Sequence, residues 1–106
     1  MANYNVSGLI SLAELANSNK NFWYVYILKC SDDTYYTGIT KNIKRRIHEH
    51  ETNKGAKYTK SRLPVALVYE EHTHDKSRSL KREIEIKKLT RSKKIELINS
   101  ANLSTA

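Results

Sequence analysis

The apolar positions along the chain alternate between two periods. Trp23-Tyr24-Val25-Tyr26-Ile27-Leu28 is an unbroken run of aromatic, β-branched and leucine side chains, which predicts a strand buried on both faces. Ser31-Asp32-Asp33-Thr34 reads as a turn, and Tyr35-Tyr36-Thr37-Gly38-Ile39 as the returning strand of a hairpin. Gly38 inside that strand predicts a bulge or the close approach of another group. The period then lengthens. Ile43, Arg46, Ile47 and His50 stand at i, i+3, i+4 and i+7, predicting a helix capped by Thr40 or Asn42 and ending near residues 50–52. A basic loop leads to Pro64 and a third strand at 65–71, with proline at its start, where a missing N–H is tolerated. A second helix, capped by Asp75 or Ser77, is predicted for 76–89, and a third runs from 93 to about 101 after a break at 90–92. The order β-β-α-β-α-α predicts an α+β domain over residues 22–101, a small three-stranded antiparallel sheet flanked by helices. Residues 1–21 read as an N-terminal extension, a short helix on Leu9, Leu12, Ala13 and Ala16 followed by an Asn/Ser-rich linker. Residues 102–106 read as a flexible tail.

Two of the helical stripes contain the wrong residues for a core. Arg46 and His50 occupy half of the first. In the second helix Leu80, Glu83, Ile84 and Lys87 repeat the spacing, and Ile86 and Leu89 extend the apolar arc on the other side of Glu83. Each pair has a plain structural explanation: Glu83 and Lys87 as an i,i+4 ion pair, Arg46 and His50 as chains reaching out from the stripe's edge. Two helices that both aim polar groups at the sheet favour a site, because burying such groups is costly unless they are paired or bind something charged. Arg, His, Glu and nearby tyrosines suit phosphoryl chemistry: carboxylate for a divalent ion, guanidinium for phosphate, Tyr or His for a proton.

Charge narrows the partner. The 106 residues carry 19 Lys+Arg against 11 Asp+Glu, a formal +8. Residues 41–62 hold eight basic and two acidic side chains, and residues 76–94 nine and two, so these blocks carry +6 and +7 while the remainder is neutral or acidic. Basic blocks interleaved with tyrosine fit a nucleic acid, whose phosphates take cations and whose unpaired bases take aromatic platforms. The candidate contacts are Lys41, Lys44, Arg45, Lys57, Tyr58, Lys60, Arg62, Lys87 and Lys94. No apolar run reaches the ~18 residues of a membrane span, so no membrane association is expected. A lone cysteine, Cys30, leaves no intrachain disulfide or cysteine-rich zinc site and fits a cytoplasmic protein. His72-Thr73-His74-Asp75 reads as a polar loop rather than a metal site.

Tyr24-Val25-Tyr26 and Tyr36-Thr37-Gly38, with Arg46 ten residues on, His50 one turn further and Glu83 on the next long helix, resemble the GIY-YIG nuclease superfamily. The resemblance covers about residues 22–99. It is nearest to a short, stand-alone bacterial branch whose middle motif here reads Gly55-Ala56-Lys57-Tyr58-Thr59 and Arg62-Leu63-Pro64-Val65. The chain departs from the pattern in having Tyr24 for the first glycine and no asparagine at the usual place after Glu83; Asn99 falls too late. The resemblance implies metal-dependent hydrolysis of a DNA phosphodiester, on single-stranded or branched DNA, with one Mg²⁺ or Mn²⁺ held by Glu83. Arg46 would stabilise the phosphate. Tyr26, helped by His50, would be the general base with its pKa lowered by the metal, Arg46 or nearby lysines, and Tyr36 would position water or phosphate; the reverse assignment of the tyrosines stays open. A non-catalytic nucleic-acid-binding module on the same fold is the alternative. One geometric condition follows. The two tyrosines share a face only if paired residue numbers across the hairpin sum to an even number, which predicts an odd-length turn or a bulge.

Overall fold

A computed structural model describes residues 22–104, and their side chains to residue 101. The expectations for residues 1–21 and for the end of the tail lie outside the described residues. β1 (Trp23–Lys29) pairs antiparallel with both β2 (Tyr35–Thr40) and β3 (Ala66–Thr73), giving the order β2-β1-β3. The helices are α1 (Ile43–Glu51), the single turn α2 (Lys57–Lys60), α3 (Lys76–Lys88) and α4 (Arg91–Ser104). The α+β sheet with flanking helices is as expected. The loop before Pro64 differs, because it contains α2, and the last helix starts at Arg91 and runs on to Ser104.

The continuous apolar run becomes the central strand, with Tyr24 through Leu28 at most 1% exposed. Strand alternation sends Tyr24, Tyr26 and Leu28 to one face, where they pack with Ile43 and Ile47 of α1. Val25 and Ile27 go to the other, against Ile86 of α3 and Ile98 of α4. The sheet is therefore covered on both sides, as its uninterrupted hydrophobicity requires. Asn42 caps α1, its side chain accepting from Arg45 N at 2.9 Å. Asp75 does the same for α3 from Arg78 N at 2.8 Å.

The hairpin turn is odd. Lys29 pairs with Tyr35, Cys30 N donates to Thr34 O at 2.8 Å, and Asp33 N donates to Cys30 O at 2.9 Å. Asp33 closes the three-residue loop at φ 66°, a left-handed conformation that aspartate tolerates better than most residues. Tyr26 consequently faces Gly38 and Leu28 faces Tyr36, so Tyr26 and Tyr36 share a face. Gly38 is in register; the sheet's bulge lies instead between β1 and β3 at Ile27/Leu28.

The second helical stripe is rotated from its expected position. Ser79 and Ile86 are fully buried, whereas Leu80 and Ile84 are 40% and 52% exposed. Glu83 therefore lies at the rim of the buried face and not within an apolar arc. The small Ser79 side chain lets the helix approach the sheet. Arg82, on the same helix, is held half-buried by Glu71 at 2.9 Å and Glu85 at 3.1 Å.

Candidate active site

β1 and β2 carry Tyr26 and Tyr36 side by side, ring centroids 6.3 Å apart. α1 starts directly after β2 and lays its inward stripe across them. His50, fully buried, places Nε2 3.0 Å from Tyr26 Oη, and its ring lies 5.4 Å from Tyr36. Arg46 Nε donates to the same hydroxyl at 3.4 Å and Nη1 to Glu49 at 2.8 Å. Gly38 makes this arrangement fit: a Cβ there would stand 2.6 Å from Tyr26 Oη and 3.1 Å from Tyr36 Cε2. Of the two readings of that glycine, close approach holds and the bulge does not. Gly55 does the same for His50, since a Cβ would lie 2.8 Å from its Cγ.

Electrostatics differ from what a ready base requires. Burial pushes Tyr26 up to about 12, and Arg46 only partly offsets it. Burial, helped by the Arg46 charge, pulls His50 down to about 4. Near neutral pH Tyr26 is thus a phenol and His50 a neutral imidazole. Arg46 by itself does not bring the tyrosine below its ordinary value, and His50 Nε2 is the nitrogen that faces the Tyr26 hydroxyl.

The other candidates divide. Glu83 enters from α3, which packs against β2 and β1; its side chain is 17% exposed, bonded to Lys87 at 3.3 Å, and close enough to Tyr26 to contribute to its raised pKa. Lys87, Tyr58, Tyr36, Tyr35 and Thr37 line one cleft of about 260 Å³. Tyr58 stacks on Tyr36 at 6.0 Å, and the Arg62 guanidinium lies 3.9 Å above the Tyr58 ring. Arg62, expected on phosphate, is also tied to Asp32 at 3.0 Å and to the Tyr58 carbonyl at 2.9 Å. Lys57 and Lys60 are exposed on α2, and Lys44 and Arg45 on the outer side of α1. Lys41 sits 5.9 Å from the Trp23 ring centroid. Lys94 is half-buried on α4, which leans on β3, and is not brought into this group. His72 and His74 close around Phe22, with centroids at 4.7 and 5.6 Å, and Cys30 is a buried core residue.

Sequence reading missed Thr59, fully buried, whose Oγ1 stands 2.8 Å from His50 Nδ1, and Tyr35 and Thr37 in the cleft.

As a metal holder, Glu83 fits only one kind of ion. Among the described residues no three His, Cys, Asp or Glu side chains gather as a ligand set. A lone, partly exposed carboxylate suits a hard cation that keeps most of its water, as Mg²⁺ does.

A hairpin that shows two tyrosines to an Arg-x-x-x-His helix, with a glutamate from a later helix at its margin, defines the class named by the sequence resemblance. The GIY-YIG catalytic domain model matches residues 22–96, and the chain belongs to that family. It is 52% identical over 75 residues to a UPF0213 protein of Natronomonas pharaonis, covering 71% of this chain and 88% of that one. With a UPF0213 protein of Staphylococcus saprophyticus it shares 54% over 76 residues, 72% and 93% of the two chains. The solution NMR structure of a protein from E. faecalis superposes with a TM-score of 0.56 at 37% identity, covering 80% of this chain and 91% of that chain.

Proposed function

We propose that this protein is a metal-dependent endonuclease that hydrolyses phosphodiester bonds in DNA, with single-stranded or branched DNA as its substrate. The observation that carries the reading is the contact of one buried hydroxyl, Tyr26 Oη, with both His50 and Arg46. Arg46 meets a non-bridging phosphate oxygen and steadies its charge as the phosphorus becomes five-coordinate. Tyr26 takes a proton from the attacking water while its own proton passes to His50 Nε2. A phosphate on Arg46 also cancels part of the charge that keeps His50 weakly basic, so substrate strengthens the acceptor. Glu83 is the residue that would hold a Mg²⁺ or Mn²⁺ ion, which would supply charge neutralisation at the leaving oxygen. Tyr36 orients water or phosphate beside Tyr26. The tyrosine-lined cleft supports unpaired substrate, since every base has a face that stacks on an aromatic ring. A domain this small offers little surface for a long duplex site.

The alternative, a binding module without catalysis, draws on the Lys87–Glu83 pair, in which a lysine already occupies the carboxylate that would hold the ion. The two separate in a cleavage panel: single-stranded, duplex and forked DNA and RNA, with Mg²⁺ or Mn²⁺, for wild type and Glu83→Gln. The endonuclease reading expects cutting of unpaired DNA that falls by about 10²-fold or more in the variant with DNA binding kept. Cutting that persists in Glu83→Gln refutes the metal role, and binding without cutting by wild type favours the alternative.

A further inference from the structure

Thr59 has a polar atom in the core that the scheme above does not use. Its hydroxyl lies between two partners, His50 Nδ1 at 2.8 Å and the Ala56 carbonyl at 2.9 Å. A hydroxyl has one proton to give, and a neutral imidazole has one N–H and one lone pair. The order of donors along the row is set at its other end. Tyr26 is 1% exposed and its hydroxyl meets Arg46 Nε, which can only donate, and His50 Nε2 at 3.0 Å. The phenol proton therefore goes to Nε2. That leaves the imidazole proton on Nδ1, directed at Thr59 Oγ1, and the threonine proton on the Ala56 carbonyl. Each donor then has an acceptor. With the imidazole proton on Nε2, it would oppose the phenol proton across the same 3.0 Å contact between two buried side chains, which leaves a donor unpaired.

We propose that Thr59 is a positioning residue that fixes His50 in its Nδ1–H tautomer and so turns the Nε2 lone pair toward Tyr26. Its consequence for rate rests on the reaction proposed above; the tautomer itself does not. α2 is built to hold it there. Arg62 N donates to Thr59 O at 3.0 Å, and the Arg62 side chain ties the same turn to Asp32 in the hairpin loop. On the other side, Gly55 lets the backbone close over the imidazole ring. A wrong tautomer leaves the geometry of such a site intact while removing its proton acceptor.

The test is the ¹⁵N spectrum of the full chain at neutral pH, with long-range couplings reporting which ring nitrogen of His50 carries hydrogen and with His50→Gln identifying its signals. The expected result is a protonated Nδ1 and a bare Nε2. Thr59→Val removes the acceptor at similar volume; it should shift His50 toward Nε2–H and lower kcat about 10²-fold with KM unchanged. Thr59→Ser should restore both, which a purely structural role would not require. Nε2–H in the wild type, or an unchanged tautomer in a folded Thr59→Val, overturns the assignment. If Thr59→Val does not fold, wild type and Thr59→Ser decide: Nδ1–H in both supports it, and Nε2–H in either overturns it. A wild type that shows Nδ1–H yet cuts no nucleic acid refutes the nuclease reading and leaves the tautomer assignment standing.

Discussion

Gly38→Ala asks whether the tyrosine slot is rigid. The backbone at Gly38 is not left-handed, so the strain of an added methyl is all contact: 2.6 Å to Tyr26 Oη and 2.8 Å to Cζ. Ordinary contact requires Tyr26 to retreat by about 0.8 Å. Its ring has nowhere soft to go, being 1% exposed and flanked by Tyr36 and His50. Overpacking of this kind costs about 1–3 kcal/mol. Replacing glycine in a strand returns about 0.5–1 kcal/mol of backbone entropy. The net loss is about 1 kcal/mol, or roughly 4–8 °C in Tm for a domain of this size. The effect on rate should be larger, because the displaced hydroxyl loses its alignment with His50 and Arg46, and an ångström of misplacement can cost about 10²-fold. Thermal denaturation by circular dichroism and single-turnover cleavage of a fluorescent single-stranded oligonucleotide give the two numbers. In a Tyr26→Phe background the nearest clashing atom is gone, so the same substitution should destabilise less. An unchanged or raised Tm with full kcat would refute the reasoning, for it would mean that Tyr26 yields without consequence.

Other outcomes follow from the charges. Because unfolded His50 takes a proton below about pH 6.5 and folded His50 only below about 4, the unfolded state holds more protons between those values. Stability attributable to this residue is thus full near pH 7 and lost as pH falls through that window, by about 3 kcal/mol. Urea titrations should show a shallower acid decline in His50→Gln than in wild type, and parallel declines would remove this account. Lys57→Gln with Lys60→Gln, both on exposed positions of α2, should flatten the log–log salt dependence of single-strand binding by about 1.4 without changing kcat at saturating DNA. An unaltered slope would place the strand elsewhere.

What the sequence made legible was what its local periods control. The parity of the hairpin followed from Tyr26 and Tyr36 having to share a face, and the turn at Ser31–Asp33 has the odd length this demands. Arg46 and His50 stood out because they broke an otherwise apolar stripe. The second helix misled because Leu80 and Ile84 are larger than Ser79, and hydrophobic size suggested the wrong arc. The buried side of α3 is set by how closely a serine lets the helix approach, and by Glu71 neutralising Arg82 from a strand eleven residues back. Neither is visible in a helical wheel. Thr59 was hidden for a related reason: a four-residue helix without a side-chain cap has too little local signal to predict, and its burial comes from docking onto His50.

The tip of the hairpin has a practical consequence. Exposed loop tips are the usual places to splice a peptide tag or open a chain for circular permutation. This one is fastened by three bonds from two elements: Arg62 binds Asp32 by its side chain, Ser31 N donates to Arg62 O at 2.9 Å, and Arg91 donates to Asp33 O at 2.6 Å. An insertion at Asp32-Asp33 would detach the middle loop and the start of the last helix together, loosening Tyr58 and Thr59 without touching them. The turn at Thr52-Asn53-Lys54, exposed and, among the described residues, hydrogen-bonded to the end of its own helix, is the better point of attachment. A protein engineer choosing by solvent exposure alone would cut at the wrong turn.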